Sequence, residues 1–378
     1  MVKSMYAAVA GLRTHQAKMD VIGNNIANVN TFGFKKARAS FRDQFYATMR
    51  GSSEADQVYG GGNPSQVGYG SSLSSIEIDF GTASGAPTGN GMDVMIDGNG
   101  FFLVGKYFEN GLAATSYDTT VANLTQLNFT RIGIFNIDGQ GWLVDSLRNH
   151  VYGYSEGLED PAGTGGAGGA GATMNKLVDA DGNALLEPLQ VPWCYFDSNG
   201  KVIRDATTGL AVKVVWELDN EGAYAVDETL NPKDDPLDAG PAGRVAAGTA
   251  PTDAAYIAPM KLSNISIGDG GEIVGVNNDT EEVITLGKII IGDVPNPNAL
   301  ENTSNGYYRV KKNTGIVTGE EPGHGSTGSL NAGRLEMANV DLAQEFTDMI
   351  TTQRGFQANG RIITVTDEML AELVNLKR

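Results

Sequence analysis

Met5–Lys36 reads MYAAVAGLRTHQAKMDVIGNNIANVNTFGFKK, and its spacing decides how the rest of the chain is read. Met5, Val9, Leu12, Met19, Ile22, Ile26 and Val29 follow one another at intervals of three, four or seven. That period lays one apolar seam along a helix and is not the alternation of a strand. Ser4 predicts the N-cap, and Asn28, Asn30, Thr31 and Gly33 supply the chemistry that stops the helix near Val29. Gln16 sits where the seam would take a large apolar group. A polar residue there is expected to fix register at some loss of stability, as in coiled coils.

The far end of the chain carries a second seam: Leu342, Phe346, Met349, Phe356, Ile363, Leu370 and Leu373. Asp341 with Gln344 predicts a capping box, and Asp341, Glu345 and Asp348 suit the positive end of a helix. Gly355 and Gly360 lie inside it, each ~1 kcal/mol less favourable than alanine. The helix is therefore expected to be marginal alone and to depend on partners. Everything between the two seams is turn-rich and reads as β structure. The fold class expected is mainly β with helical termini: the N- and C-terminal helices pair as a coiled coil, and two β-rich domains are strung outward, the outer one inserted into the inner.

The boundaries follow from composition. Residues 1–33 and 337–378 form the helical core, and 34–76 a connecting arm. The arm is either a short helix or an extended segment, followed by Gly/Ser-rich irregular chain, and from Leu73 the alternation of LSSIEIDF predicts a strand. Residues 77–154 and 259–336 form the inner β-domain, and 155–258 the outer one. Within the inner domain, Asp93–Val104 (DVMIDGNGFFLV) and Phe135–Val144 (FNIDGQGWLV) share a pattern of β-run, Asp-Gly turn and aromatic-led β-run. Each predicts a β-hairpin, with Phe129 and Phe135 as core residues. Pro161–Ala172 is low-complexity and Asn231–Thr252 loop-like. Residues 151–258 carry 17 acids against 6 bases, a composition suited to facing solvent.

Charge is placed unevenly. The net charge is −18, yet residues 1–50 carry +6 and the other 328 residues −24. Arg13, Lys18, Lys35, Lys36, Arg38 and Arg42 flank the first seam and are expected to be solvated or paired with Asp341, Glu345 and Asp348. The acidic body would be repelled by phosphate backbones, so no nucleic-acid partner is expected. No apolar run approaches the ~18 residues of a membrane span, and Arg13, His15 and Lys18 interrupt any N-terminal secretory signal. The single cysteine, Cys194, excludes an intramolecular disulfide framework. Stability must come from burial and from assembly.

Enzyme chemistry finds no constellation. His15, His150 and His324 stand in unrelated contexts, and no Cys/His cluster predicts zinc. Asp179-Ala-Asp-Gly-Asn hints at a calcium loop but has Ala184 and Gln190 where such a loop needs Gly and Glu. Neither a phosphate loop nor a nucleophile elbow occurs. No catalytic residue, cofactor or metal is expected. A carbohydrate-binding module or adhesin would use Trp142, Trp193 and Trp216.

Asn24–Lys36, NNIANVNTFGFKK, resembles the N-terminal signature of the bacterial flagellar rod and hook axial proteins. The residues that carry it are Asn24, Asn25, Ala27, Asn28, Thr31, Gly33, Phe34 and Lys35. Asn339–Leu370 resembles the matching C-terminal signature, and Gly62–Gly70, Asp93–Val104 and Phe129–Ser146 add further hook-like features. The likeness covers about residues 1–155 and 260–378; the segment between is similar only in being a variable outer part. The resemblance implies a subunit of the hook, a flexible tube that carries motor torque from rod to filament; the distal rod is the alternative. It implies self-association into a helical polymer, contacts with rod, hook-cap and hook–filament junction proteins, and type III export without a cleaved signal. Location in the flagellum, outside the cell, follows. Some hook proteins carry a Lys–Cys-derived cross-link between subunits; in WCYF, Cys194 otherwise reads as a buried small hydrophobe. In this frame NNIANVNTFGFK is a hinge between tube wall and arm. Gly33 permits its turn, and Phe32 and Phe34 anchor it.

Overall fold

The computed structural model describes residues 2–52, 54, 61–106, 127–139, 141–155, 186–191, 193–196, 215–217, 245–247, 256–259, 262–277 and 283–376. The chain divides into two compact units, Met1–Gly81 with Met337–Arg378, and Thr82–Glu336. The architecture is mainly β with a helix at each end.

In the first unit, α1 (Val2–Ala27) and α2 (Leu342–Asn375) pack side by side. α1 begins two residues before Ser4, so Ser4 lies in the first turn and does not cap it. Asp341 does cap α2, its carboxylate accepting from the backbone N–H of Ala343 and Gln344. The Gln344 side chain turns forward to Asp348 (3.2 Å), so the capping box does not close.

The chain between the helices and Gly81 is a long two-stranded ribbon. β1 (Ala37–Asp43) pairs antiparallel with a strand over Ser71–Ile78, and Tyr46–Arg50 pairs with Ser65–Gly68. The strand predicted from Leu73 is thus present, and the Gly/Ser-rich stretch expected to be irregular supplies its first residues and the strand over Ser65–Gly68. Arg38, Ser40 and Arg42 lie across from Glu77, Ser75 and Ser72, while Ala39 and Phe41 lie across from Ile76 and Leu73. This alternation with period two was hidden by a register shift between Ser40 and Phe41. The ribbon touches α1 where both sides are small. Thr14 Oγ1 meets Ser71 Oγ at 3.2 Å, and a Cβ on Gly70 would stand 3.1 Å from that of Ala10.

In the second unit, antiparallel strands form one large sheet. Its central members are Phe101–Gly105 and His150–Ser155, joined through Val283–Ile289 to the hairpin of Leu262–Ile267 and Glu272–Asn277. Phe102, Val104, Phe135, Val151, Leu189, Ile273, Ile289 and Leu330 share its core. Each large side chain fully buried there stabilises the fold by ~1.5–3 kcal/mol. Phe129 and Phe135 are both fully buried, as their aromatic-led runs predict. Leu186, Leu189 and Val191 are buried as well, and Leu189 and Val191 join this core. Beyond them Trp193–Phe196 pairs with Tyr256–Pro259, and Val215–Glu217 with Val245–Ala247, a nested pair of ladders.

Of the two Asp-Gly motifs, one is a hairpin. Phe135–Ile137 pairs with Leu143–Asp145 across the second turn. Across the first turn, Val94–Asp97 and Phe101–Gly105 do not pair; the former pairs with Ser329–Ala332 and the latter with three other strands. The reason lies in Gly98 and Gly100, at φ +121° and +114°. A Cβ on Gly98 would come within 2.7 Å of Gly328 Cα, and one on Gly100 within 2.2 Å of Ile291 Cγ2. The glycines serve close approach by other segments and not a tight reversal.

A buried ion pair sits where this unit begins and ends. Arg131 Nη1 lies 3.5 Å from Glu336 Oε2, with both side chains essentially inaccessible. Arg131 also donates to the carbonyls of Gly98 (2.8 Å) and Ile96 (3.4 Å), and its guanidinium lies over the Phe101 ring. Glu336 accepts from the Ala83 N–H at 3.1 Å. Burial lowers the Arg131 pKa, and the Glu336 carboxylate opposes that shift.

Pro161–Ala172, the Asp179 loop and most of Asn231–Thr252 lie outside the described residues, as do the side chains of Trp193, Cys194 and Trp216. Trp142 is buried and stacks edge-on against His150, so it offers no open binding platform.

Candidate assembly site at the paired termini

The two helices run antiparallel. Asn25 meets Glu345, Lys18 meets Asp348, His15 lies against Gly355, and Gly11 lies against Asn359. Lys18 Nζ stands 3.6 Å from Asp348 Oδ1 with both side chains about a third exposed, so this pair contributes ~0–1 kcal/mol. It is one of the helix-to-helix ion pairs that the charge pattern predicts.

The first seam divides unevenly. Ile22 is buried, while Met5, Val9, Leu12, Met19, Ile26 and Val29 are half-buried. Gln16 is exposed, so the polar residue that meets α2 is its neighbour His15. On α2, Met349, Ile363 and Leu370 are half-buried, whereas Leu342, Phe346, Phe356 and Leu373 are exposed. The buried residues of α2 are Glu345, Thr352 and Thr366. With Asn359 these form a line of polar residues every seven positions, which the apolar pattern passes over. Thr352 and Thr366 satisfy their hydroxyls on the carbonyls of Asp348 and Ile362 in their own helix, both at 2.6 Å. Both are buried at no loss of hydrogen bonding.

α2 also leaves many apolar side chains in water. Ile350, Ile362, Val365, Met369, Val374 and Leu376 are all exposed, alongside Leu342, Phe346 and Leu373. Exposure runs from 39% at Leu342 to 82% at Leu376. Exposed apolar surface of this extent marks an interaction surface.

The NNIANVNTFGFKK segment works as a bolt. Asn25 is buried and bonds both ways to the Ala37 backbone: its Nδ2 donates to Ala37 O (2.9 Å), and its Oδ1 accepts from Ala37 N (3.0 Å). The same Nδ2 reaches Glu345 Oε2 at 3.3 Å. One side chain thus fixes the end of α1, the start of the ribbon and the first turn of α2. Asn28 closes the helix end on Asn24 and receives Thr31, at 2.7 Å and 3.3 Å. Ala27 is the last helical residue. Gly33 is buried at φ +70°, a conformation that favours glycine. Phe34 is half-buried, but Phe32 is exposed at 37% and does not anchor the turn in the single chain. Lys35 is buried and donates to Gly81 O at 2.9 Å. Asn339, just before α2, accepts from Lys36 N and donates to Asp79 O, both at 2.7 Å.

Among the described residues no group of three or more His, Cys, Asp or Glu is placed to hold a metal ion. No described helix is long and apolar enough to cross a membrane.

Fold and exposed apolar surface together fit a class: a structural protein with paired terminal helices. Residues 5–35 match the family model described as flagella basal body rod protein. Residues 331–376 match the one described as flagellar basal body rod FlgEFG protein C-terminal. The chain is 31% identical to the flagellar hook protein FlgE of Borreliella burgdorferi and 32% identical to the flagellar basal-body rod protein FlgG of Bacillus subtilis, in each case over the full length of both chains. It is 26% identical to the FlgE of Salmonella typhimurium across 99% of this chain and 100% of that one. The chain belongs to the bacterial flagellar rod and hook family of axial proteins. It is a protein of the bacterial flagellum.

Proposed function

We propose that the chain is the subunit of the flagellar hook, polymerising into a flexible tube that passes motor torque from rod to filament. The observation that carries this reading is the exposed apolar surface of α2. An isolated subunit leaves it wet, and packing against further copies around a tube removes it from water. At ~25 cal/mol per Å² of apolar surface, that burial is the driving force for assembly. The inner helices hold the wall, and polar, glycine-rich outer contacts slide as the tube bends.

Kinship with hook proteins over their full length and the long β-rich middle support the hook reading. A distal rod subunit is the second reading, favoured by the equal kinship to a rod protein. The neighbours in either case are flagellar: rod, cap and junction proteins, and the export apparatus that delivers the subunit. Polar contacts between the helices leave the ends weakly paired before assembly, as passage through an export channel requires.

Electron microscopy of basal bodies from a deletion strain separates the readings. Loss of a hook subunit leaves a complete rod with no hook. A truncated rod instead assigns the chain to the rod.

A further inference from the structure

The apolar rungs of α2 that repeat as Met349, Phe356, Ile363 and Leu370 recur every seven residues. Apolar burial alone therefore barely distinguishes the observed pairing from one slipped by a heptad. Thr352 and Thr366 do not distinguish them either, since each is satisfied within α2.

Two contacts are different in kind. A Cβ on Gly355 would stand 2.7 Å from His15 Cε1 and 2.8 Å from its Nε2. A Cβ on Gly11 would stand 2.5 Å from Asn359 Nδ2. The large member lies on α1 in the first pair and on α2 in the second. The spacing is consistent: going from Asn25 to His15 to Gly11 down α1 steps equally up α2 from Glu345 to Gly355 to Asn359.

We propose that His15 with Gly355, and Asn359 with Gly11, set the register of the helix pair by reciprocal size. A heptad slip would place His15 against Asp348 or Ile362 and Gly11 against Thr352 or Thr366. It would also move Asn25 from Glu345 to Ala338 or Thr352. No glycine then receives the imidazole. His15 Nδ1 is buried without a hydrogen-bond partner, so the ring acts by its volume. This assigns a reason to a glycine that otherwise only weakens α2. Gly360, on the same helix, has open space around it and serves as the internal control.

The inference concerns the pairing within one chain and holds for hook and rod alike. The test uses the full chain with Cys194→Ser, Lys18→Cys and Asp348→Cys, in which the observed register holds the two thiols within reach of a short bifunctional reagent. The readout is the rate at which a short bis-maleimide cross-links the two thiols within one chain, on denaturing gels. Gly355→Leu is expected to slow it about tenfold, the usual size of an overpacking effect. Adding His15→Gly is expected to restore it, although glycine lowers the helix propensity of α1. Gly360→Leu is expected to leave it unchanged. Unslowed cross-linking in Gly355→Leu, no rescue by His15→Gly, or equal slowing by Gly360→Leu would each overturn the proposal.

Discussion

Asn25 and Glu345 lie 320 residues apart in sequence and share a hydrogen bond of 3.3 Å, beside the two that Asn25 exchanges with the Ala37 backbone. One carboxamide therefore ties both helices to the ribbon. Asn25→Leu leaves the Ala37 N–H and C=O without that partner in a buried site. Each such group costs ~1–3 kcal/mol. The first unit is expected to lose at least ~2 kcal/mol in urea denaturation followed by far-UV circular dichroism. Asn25→Asp keeps the acceptor for the Ala37 N–H but sets a second carboxylate against Glu345, and should lose as much.

Gly33 turns the chain from helix to ribbon at φ +70°. An alanine there enters the left-handed region at a cost of ~1–2 kcal/mol. Gly33→Ala should lower the denaturation midpoint of the helical unit, while Gly89→Ala, at a similar φ but with open space in the β unit, should leave that midpoint alone.

The buried pair Arg131–Glu336 yields a double-mutant test. Arg131→Met leaves Glu336 as an uncompensated buried carboxylate, which costs ~3–5 kcal/mol. Arg131→Met with Glu336→Leu removes both charges and should recover a large part of the loss. Equal destabilisation of the single and double variants would show the pair to be uncoupled.

His150 gives the β unit a pH dependence. Burial holds its pKa below the usual imidazole value, against the opposite pull of Asp138 and Asp145. The unfolded chain takes up the proton first as pH falls past ~6.5, so the contribution to stability is full above that value and is lost below it. Urea denaturation should show a lower midpoint at about pH 5.5 than at about pH 7.5, and His150→Gln should shrink the difference.

Much of this was legible in the sequence. The terminal helices announced themselves through spacing, and Asp341 as cap and Phe129 and Phe135 as core followed from local chemistry. Three things did not. The strand from Leu73 is legible in its alternation, but the rest of the ribbon is obscured by the bulge near Ser40 and by glycines and serines that serve as strand residues only against α1. The first Asp-Gly turn looked like its neighbour, since nothing local reveals that Gly98 and Gly100 make room for Gly328 and Ile291. The face of α2 that meets α1 was assigned by counting apolar residues, which merged two faces. The polar line through Glu345, Thr352, Asn359 and Thr366 could have been found as a seven-residue repeat, but only after asking which polar residues can satisfy themselves. The membership of Asn25 and Asn339 in one node needs three-dimensional proximity, because their partners are backbone groups from distant segments.

The exposed apolar surface of α2 is the centre of the account, and the direct measurement is polymerisation of a full-length chain carrying Ile350→Glu and Val365→Glu. Both residues are more than half exposed in the single chain, at 59% and 51%, so its fold should be unchanged. The account predicts a monomer in analytical ultracentrifugation, with wild-type circular dichroism and a β unit of unchanged stability, under conditions where the parent chain forms tubes. Tubes of normal appearance from the doubly substituted chain would contradict it.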